Sequence, residues 1–319
     1  MVEKAKQAFK RDKDGGVNHW LILVLLALAQ FMVVLDVSIV NVALPAIQDA
    51  FHMTPTSLQW IVTAYTLTFG GFLLLGGRAA DLFGRRKIFL IGVALFTLAS
   101  FMCGIAQSEI WIIIARGVQG LAGAFMSPAA LSIVLVTYRE GHERNVALSV
   151  WGAVASGGAA AGVLLGGILT QYLDWRWNFF VNVPVGLLVM FAALRVLDRH
   201  ESTVEHNNLD LRGAVLATGG LMTLVYALVK APENGWTATS SLVLFAVAAA
   251  ALIGFVFNES RVKHPLMPLH IFRIRNLAGA NLMQVFMTAG MFSIFFFTTL
   301  YMQQVLGYTP IKTGVSFLI

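Results

Sequence analysis

Polar residues along this chain are gathered into short links, and apolar runs long enough to cross a bilayer fill most of the rest. The runs cover about 20–45, 58–79, 88–107, 110–137, 146–171, 177–197, 211–230, 239–257 and 277–306, and a further apolar segment opens at Ile311 and continues to Ile319. A helix needs about 20 apolar residues to cross the hydrocarbon core. Each run is continuous, whereas barrel strands alternate with turns about every ten residues. The pattern therefore predicts an all-α integral membrane protein with nine spans and the beginning of a tenth.

The links divide the spans into groups. Residues 1–19 form a charged tail, and 20–197 form a six-helix unit. The polar stretch 198–210 leads into a helix pair at 211–257, joined by the turn-rich segment Ala231 to Trp236. A second basic link, 258–276, precedes the segment 277–319, which reads as the start of another bundle.

Basic residues set the orientation. With the N-terminus inside, the cytoplasmic segments hold Lys4, Lys6, Lys10, Arg11, Lys13, Arg78, Arg85, Arg86, Lys87, Arg139, Arg144, Arg195, Arg199, Arg212, Arg261, Lys263, Arg273 and Arg275. The opposite face receives only Arg176, Lys230 and Lys312. Such asymmetry predicts a multi-pass protein with its N-terminus in the cytoplasm. Composition agrees with a lipid environment, since hydrophobic residues make up 58% and charged residues 12%, against about 25% charged in soluble domains. The net charge of +6 belongs to helix ends and points to no nucleic-acid partner. The first apolar run is too long for a cleavable signal and lacks a small-residue cleavage site. A single cysteine, Cys103, permits no intrachain disulfide.

Two charges break the apolar runs. Asp36 lies well inside span one, and Arg116 lies near the start of span four. An arginine at a helix centre costs about 2.5–3.5 kcal/mol on insertion scales, and intramembrane carboxylates are similarly disfavoured. Such residues face a bundle interior or a watery cavity and mark proton or substrate pathways; a structural hydrogen bond for Asp36, or snorkelling for Arg116, is the plainer alternative. Gln119 follows Arg116 by one helical turn and shares its side of the helix. A buried carboxylate is pulled toward neutrality by desolvation and toward its charged form by a nearby cation. A group balanced between the two can exchange a proton, and a lipophilic cation competing for that carboxylate would expel it.

Glycines recur where helices must approach. Gly158, Gly162 and Gly166 are spaced by four and share one face of span five, with Gly167 beside them; packing and a role in exchange are both open for that face. Gly120 and Gly123 do the same in span four. The link after span two reads Gly77-Arg-Ala-Ala-Asp81-Leu-Phe-Gly84-Arg85-Arg86-Lys87. Gly77 would permit close approach, Gly84 a tight turn, and the three cations would hold that turn at the inner surface.

Taken with their neighbours, these segments resemble a known family. The Gly77–Lys87 link is similar to the signature loop of the major facilitator superfamily. Leu35 to Pro45 resembles the first-helix motif of its drug:proton antiporters with fourteen spans. Arg116 to Ala124, Trp151 to Thr170 and Asp174 to Gly186 resemble the fourth-helix, glycine-rich fifth-helix and helix-six segments of the same family, and the extra pair at 211–257 fits that branch. Val163 stands where the fifth-helix motif usually has proline, which leaves the associated bend in question.

The resemblance implies a major facilitator helix bundle, namely the N-terminal six-helix half, the linking pair and the start of the second half. It implies a proton-coupled efflux antiporter in a bacterial cytoplasmic membrane, driven by the proton gradient with no bound cofactor or metal. Its cargo would be small, lipophilic and often cationic. Asp36, Arg116 and Gln119 would serve proton coupling or substrate, and Gly77, Asp81, Gly84, Arg85, Arg86 and Lys87 the gating loop. A path between two rocking halves needs a second wall, so transport by this chain alone is not expected, and a missing C-terminal half is a partner to look for. The contrasting reading is a non-transporting membrane fragment or assembly partner; a proton-coupled metabolite transporter is a third. The reading frame beyond Ile319 would discriminate among these. No H-E-x-x-H, phosphate-loop or G-x-S-x-G pattern occurs, so no enzyme chemistry and no catalytic residue are expected. His142, His200, His206, His264 and His270 fall in expected loops without zinc-ligand spacing.

Overall fold

The computed structural model describes residues 19–197, 210–263, 265–309, 312, 315 and 316. The charged tail before His19, nearly all of the 198–210 link, His200, His206, His264 and most of the Ile311–Ile319 segment lie outside the described residues. Helices are the only regular secondary structure among the described residues, with no strand among them.

The helices are α1 (His19–Phe51), α2 (Pro55–Phe83), α3 (Arg85–Gly104), α4 (Glu109–Thr137), α5 (His142–Tyr172), the short α6 (Trp177–Phe180), α7 (Asn182–Val196), α8 (Leu211–Asn234), α9 (Thr239–Glu259) and α10 (Arg275–Leu300). A 3-10 turn (Leu269–Arg273) precedes α10, and a π-helical turn (Tyr301–Val305) follows it. Eight spans among the described residues are long and apolar enough to cross a membrane, counting Trp177–Val196 as one.

Helix ends depart from the apolar runs because different forces set them. Apolarity fixes where hydrocarbon lies; caps fix where the helix stops. α1 therefore runs past Pro45 to Phe51 and ends only where His52 turns left-handed, at φ 52°. Thr54 then caps α2 by accepting from the Ser57 amide, with Pro55 pre-set for the first turn. Ser108 caps α4 in the same way, accepting from the Trp111 amide. α5 runs unbroken through Gly162 and Val163.

The chain divides into two compact units, Met1–Asn207 and Asn208–Ile319. In the first, α1 packs along α5, α2 along α4, and α3 against both α4 and α7. α1 contributes to two apolar clusters. One joins Leu23, Leu26, Met32 and Val33 to Phe89, Phe96, Val134 and Val189. The other joins Ile39, Ala43 and Ile47 to Ile61, Ile112 and Phe179. Asp36 falls between these stretches of α1, deep in the bundle. In the second unit α8 and α9 pair along their length.

Glycine positions explain how closely the helices approach. A Cβ on Gly120 would meet the Tyr65 carbonyl oxygen at 2.2 Å, which lets α4 lie directly on α2. Gly123 opposes the Phe69 ring at 3.0 Å. The stripe on α5 faces α1, with Gly158 against Val34, Gly162 against Ser38 and Gly166 against Ile39; Gly167 is buried beside it. Gly77 departs from expectation. A Cβ there would have its nearest neighbour, Pro128, at an ordinary 3.8 Å. The close approach belongs to Gly76, whose Cβ would meet the Ala124 carbonyl oxygen at 2.1 Å. The two glycines stand in tandem, and only Gly76, which lies against α4 backbone, is sterically required.

Candidate functional site

α1 brings Asp36 to the centre of the bundle, and α4 brings Arg116 and Gln119, one turn apart on one face, to meet it. Arg116 Nη1 donates to Asp36 Oδ2 at 2.5 Å and to Gln119 Oε1 at 2.8 Å. Gln119 Nε2 donates to Asp36 Oδ1 at 2.7 Å. The sequence grouped these three residues, and the fold joins them in one hydrogen-bonded set. Asp36 and Gln119 have no exposed surface, and Arg116 is 1% exposed.

Two plainer alternatives can now be judged. Arg116 does not snorkel: its Nε donates to the Ile61 carbonyl at 3.2 Å, and its guanidinium lies 4.2 Å from the centre of the Tyr65 ring. Asp36 does form structural hydrogen bonds, but its partner is a full charge. Removing either member would leave the other buried and uncompensated, which is expensive at this depth.

Sequence inspection missed three members of the set. Asn182, the first residue of α7, donates from Nδ2 to Asp36 Oδ1 at 2.9 Å and to Ser100 Oγ at 3.1 Å. Ser100 on α3 also receives Gln119 Nε2 at 3.2 Å and itself donates to the Phe179 carbonyl at 2.9 Å. Tyr65 on α2 is buried and supplies the aromatic face under Arg116. Asn182 carried a usable signal, being a carboxamide inside an apolar run. Ser100 carried none, because small hydroxyls commonly bond their own helix backbone. Cys103 lies at the rim, its thiol donating to Gln119 Oε1 at 3.7 Å.

Asp36 thus accepts from three side chains, drawn from α4 and α7. Two polar atoms keep spare capacity: Asn182 Oδ1 and the Tyr65 hydroxyl are buried without a hydrogen-bond partner. Asp36 has no exposed surface in this conformation. The cation seated on Asp36 in this conformation is Arg116.

The predicted gating loop lies elsewhere, at the far end of α2. Gly84 takes φ 95°, a backbone shape that favours glycine, and joins α2 directly to α3. Asp81 pairs with Arg85 at 3.5 Å, both part-exposed. Arg86 donates to the Leu194 carbonyl at the end of α7 at 2.8 Å, and Lys87 is exposed. Three cations in the first turn of α3 oppose its helix dipole.

The sequence matches the family model described as "Major Facilitator Superfamily" over residues 26–319. It is 45% identical to "Puromycin resistance protein pur8" of Streptomyces alboniger, over 94% of this chain and 59% of that protein. It is 42% identical to "Cephamycin export protein CmcT" of Amycolatopsis lactamdurans, over 92% and 61%. It is 40% identical to "Multidrug resistance protein Stp" of Mycobacterium tuberculosis strain CDC 1551 / Oshkosh, over 95% and 56%. The chain therefore spans roughly three fifths of the length of these curated relatives. Among solved structures, the peptide transporter POT in complex with sulfate shares the fold, with a TM-score of 0.56 at 16% identity, covering 83% of this chain and 55% of that one.

Proposed function

The chain belongs to the major facilitator superfamily, and on that premise we propose that it is part of a proton-coupled efflux transporter for small lipophilic compounds. The observation that carries the proposal is the buried Asp36–Arg116 pair, closed by Gln119 and Asn182. Names of the relatives supply the cargo class: antibiotics and other drugs leaving a bacterial cell.

The mechanism follows from charge. With Asp36 ionised, the pair is neutral overall and α1, α4 and α7 are held together through one carboxylate. A proton arriving on Asp36 cancels the ion pair. Arg116 keeps Gln119 Oε1, the Ile61 carbonyl and the Tyr65 face, so it stays in place as a net positive charge. The spare Asn182 Oδ1 is available to the new hydroxyl if the amide turns over. A cationic cargo then meets repulsion without touching Asp36. At about 10 Å and an effective dielectric near 20, one unit charge contributes about 1.7 kcal/mol. That is more than tenfold in affinity. Proton and cation therefore exclude one another through the bundle, and the exclusion is reciprocal.

Transport in this reading requires a second bundle against which the first rocks, with cargo near the bilayer midplane. The relatives' greater length supports such a partner segment. The basic residues support an inside N-terminus. Proteoliposomes carrying a transport-competent form, loaded with a pH dye, test the proposal: added puromycin should drive proton movement. Puromycin transport with no proton movement would contradict coupling, and proton movement unaffected by puromycin would contradict efflux.

A further inference from the structure

The second unit contains a pair of buried carboxyls that the transport reading does not use. Asp210 caps α8, and Glu259 ends α9; they are 7% and 4% exposed. Asp210 Oδ1 accepts from the Gly213 amide at 2.9 Å, and Asp210 Oδ2 accepts from Asn258 Nδ2 at 2.5 Å. Glu259 Oε2 accepts from the Met267 amide at 2.8 Å. Glu259 Oε1 is buried and, among the described residues, has no hydrogen-bond partner.

That orphan oxygen points at its neighbour. A Cβ built on Gly213 would sit 2.5 Å from Asp210 Oδ2 and 2.6 Å from Glu259 Oε1, so the two oxygens flank one point. Each oxygen lies within 2.6 Å of that point, which makes the two carboxyls close neighbours. Two ionised carboxylates can only accept, and two acceptors in contact repel. One proton on Glu259 Oε1, donated to Asp210 Oδ2, gives the orphan atom its partner and leaves the bonds to Gly213, Asn258 and Met267 intact.

We propose that Asp210 and Glu259 form a proton-binding site that holds one shared proton, carried on Glu259 and accepted by Asp210. Helix dipoles assign the carrier. Asp210 stands at an N-terminus, which favours its charge, and Glu259 at a C-terminus, which disfavours it. The surrounding charged groups are Arg212 on α8, Arg261 and Lys263 after α9, and His270 and Arg273 on the 3-10 turn. All are exposed, and among the described residues none is ion-paired to either carboxyl. Arg261 lies instead over the Phe257 ring at 3.9 Å. The proton thus fastens the start of α8 to the end of α9 and, through Met267, to the following link. Its loss to solvent puts two like charges in contact and opens that seam. Positive-inside placement sets the seam on the cytoplasmic face, where it responds to internal pH.

Isotope-edited infrared spectroscopy of the purified chain in nanodiscs tests this without depending on transport. Carbon-13 labelling of glutamate carboxyls should shift a protonated-carboxyl band present at pH 7. The band should vanish reversibly as pH is raised, be missing from Glu259→Gln and survive in Asp36→Asn. Glu259→Gln should fold, because its amide donates to Asp210 in place of the proton. No glutamate band at pH 7, with or without sodium, overturns the proposal. So does a glutamate band that persists in Glu259→Gln.

Discussion

Replacing Arg116 with methionine keeps an unbranched, shorter chain and removes, among the described residues, the only full cation hydrogen-bonded to Asp36. Breaking a buried pair by deleting one partner costs about 3–5 kcal/mol, because a carboxylate is left uncompensated. Loss of the bond to the Ile61 carbonyl adds about 1 kcal/mol. Asp36→Asn is milder. It preserves shape, and Arg116 retains Gln119 Oε1 at 2.8 Å, Ile61 O at 3.2 Å and the Tyr65 ring at 4.2 Å. The double variant Asp36→Asn/Arg116→Met contains no buried charge, so it should be more stable than Arg116→Met alone. The cycle should report a coupling of about 2–3 kcal/mol, the upper part of the range for residues in one network. Equilibrium unfolding in mixed micelles, followed by tryptophan fluorescence, measures all four proteins. Single costs that add to the double cost within about 0.5 kcal/mol would refute the claim that the two charges hold one another.

Gly120→Ala should cost about 1–3 kcal/mol in the same unfolding assay, because its methyl would meet backbone on α2; Gly77→Ala should be close to neutral. Asn182→Leu should cost about 1–3 kcal/mol, since it removes one donor to the buried Asp36 Oδ1 and one to Ser100. Arg86→Gln should leave global stability within about 0.5 kcal/mol, as part-exposed surface changes do, while amide exchange at the C-terminal end of α7 quickens.

Much of the helix layout is legible in the sequence because hydrocarbon imposes one rule on every span: apolar side chains and internally bonded backbone. Asp36 and Arg116 stand out for the same reason, as violations of that rule. Their meeting across 80 positions of sequence is not legible, since it depends on which faces of α1 and α4 turn inward. Asn182 illustrates the limit. Its carboxamide could be read as an anomaly, yet its partner is set by the short break at Val181 that starts α7 beside α1. Gly76 and Gly77 illustrate another. Adjacent glycines look alike in sequence, and a rotation of one residue decides which one faces α4. Helix ends such as Phe51 depend on capping by Thr54 and Pro55, which hydropathy does not report.

The central claim is that Asp36 carries the proton whose presence excludes cargo. The most direct measurement compares Asp36→Asn with the parent in proteoliposomes where the parent concentrates a fluorescent lipophilic cation against its gradient. Neutralising the residue should abolish accumulation driven by a pH gradient, while downhill counterflow of the same cation persists only at concentrations raised about tenfold, because Arg116 is left as a net positive charge. Undiminished pH-driven accumulation by Asp36→Asn would contradict the account.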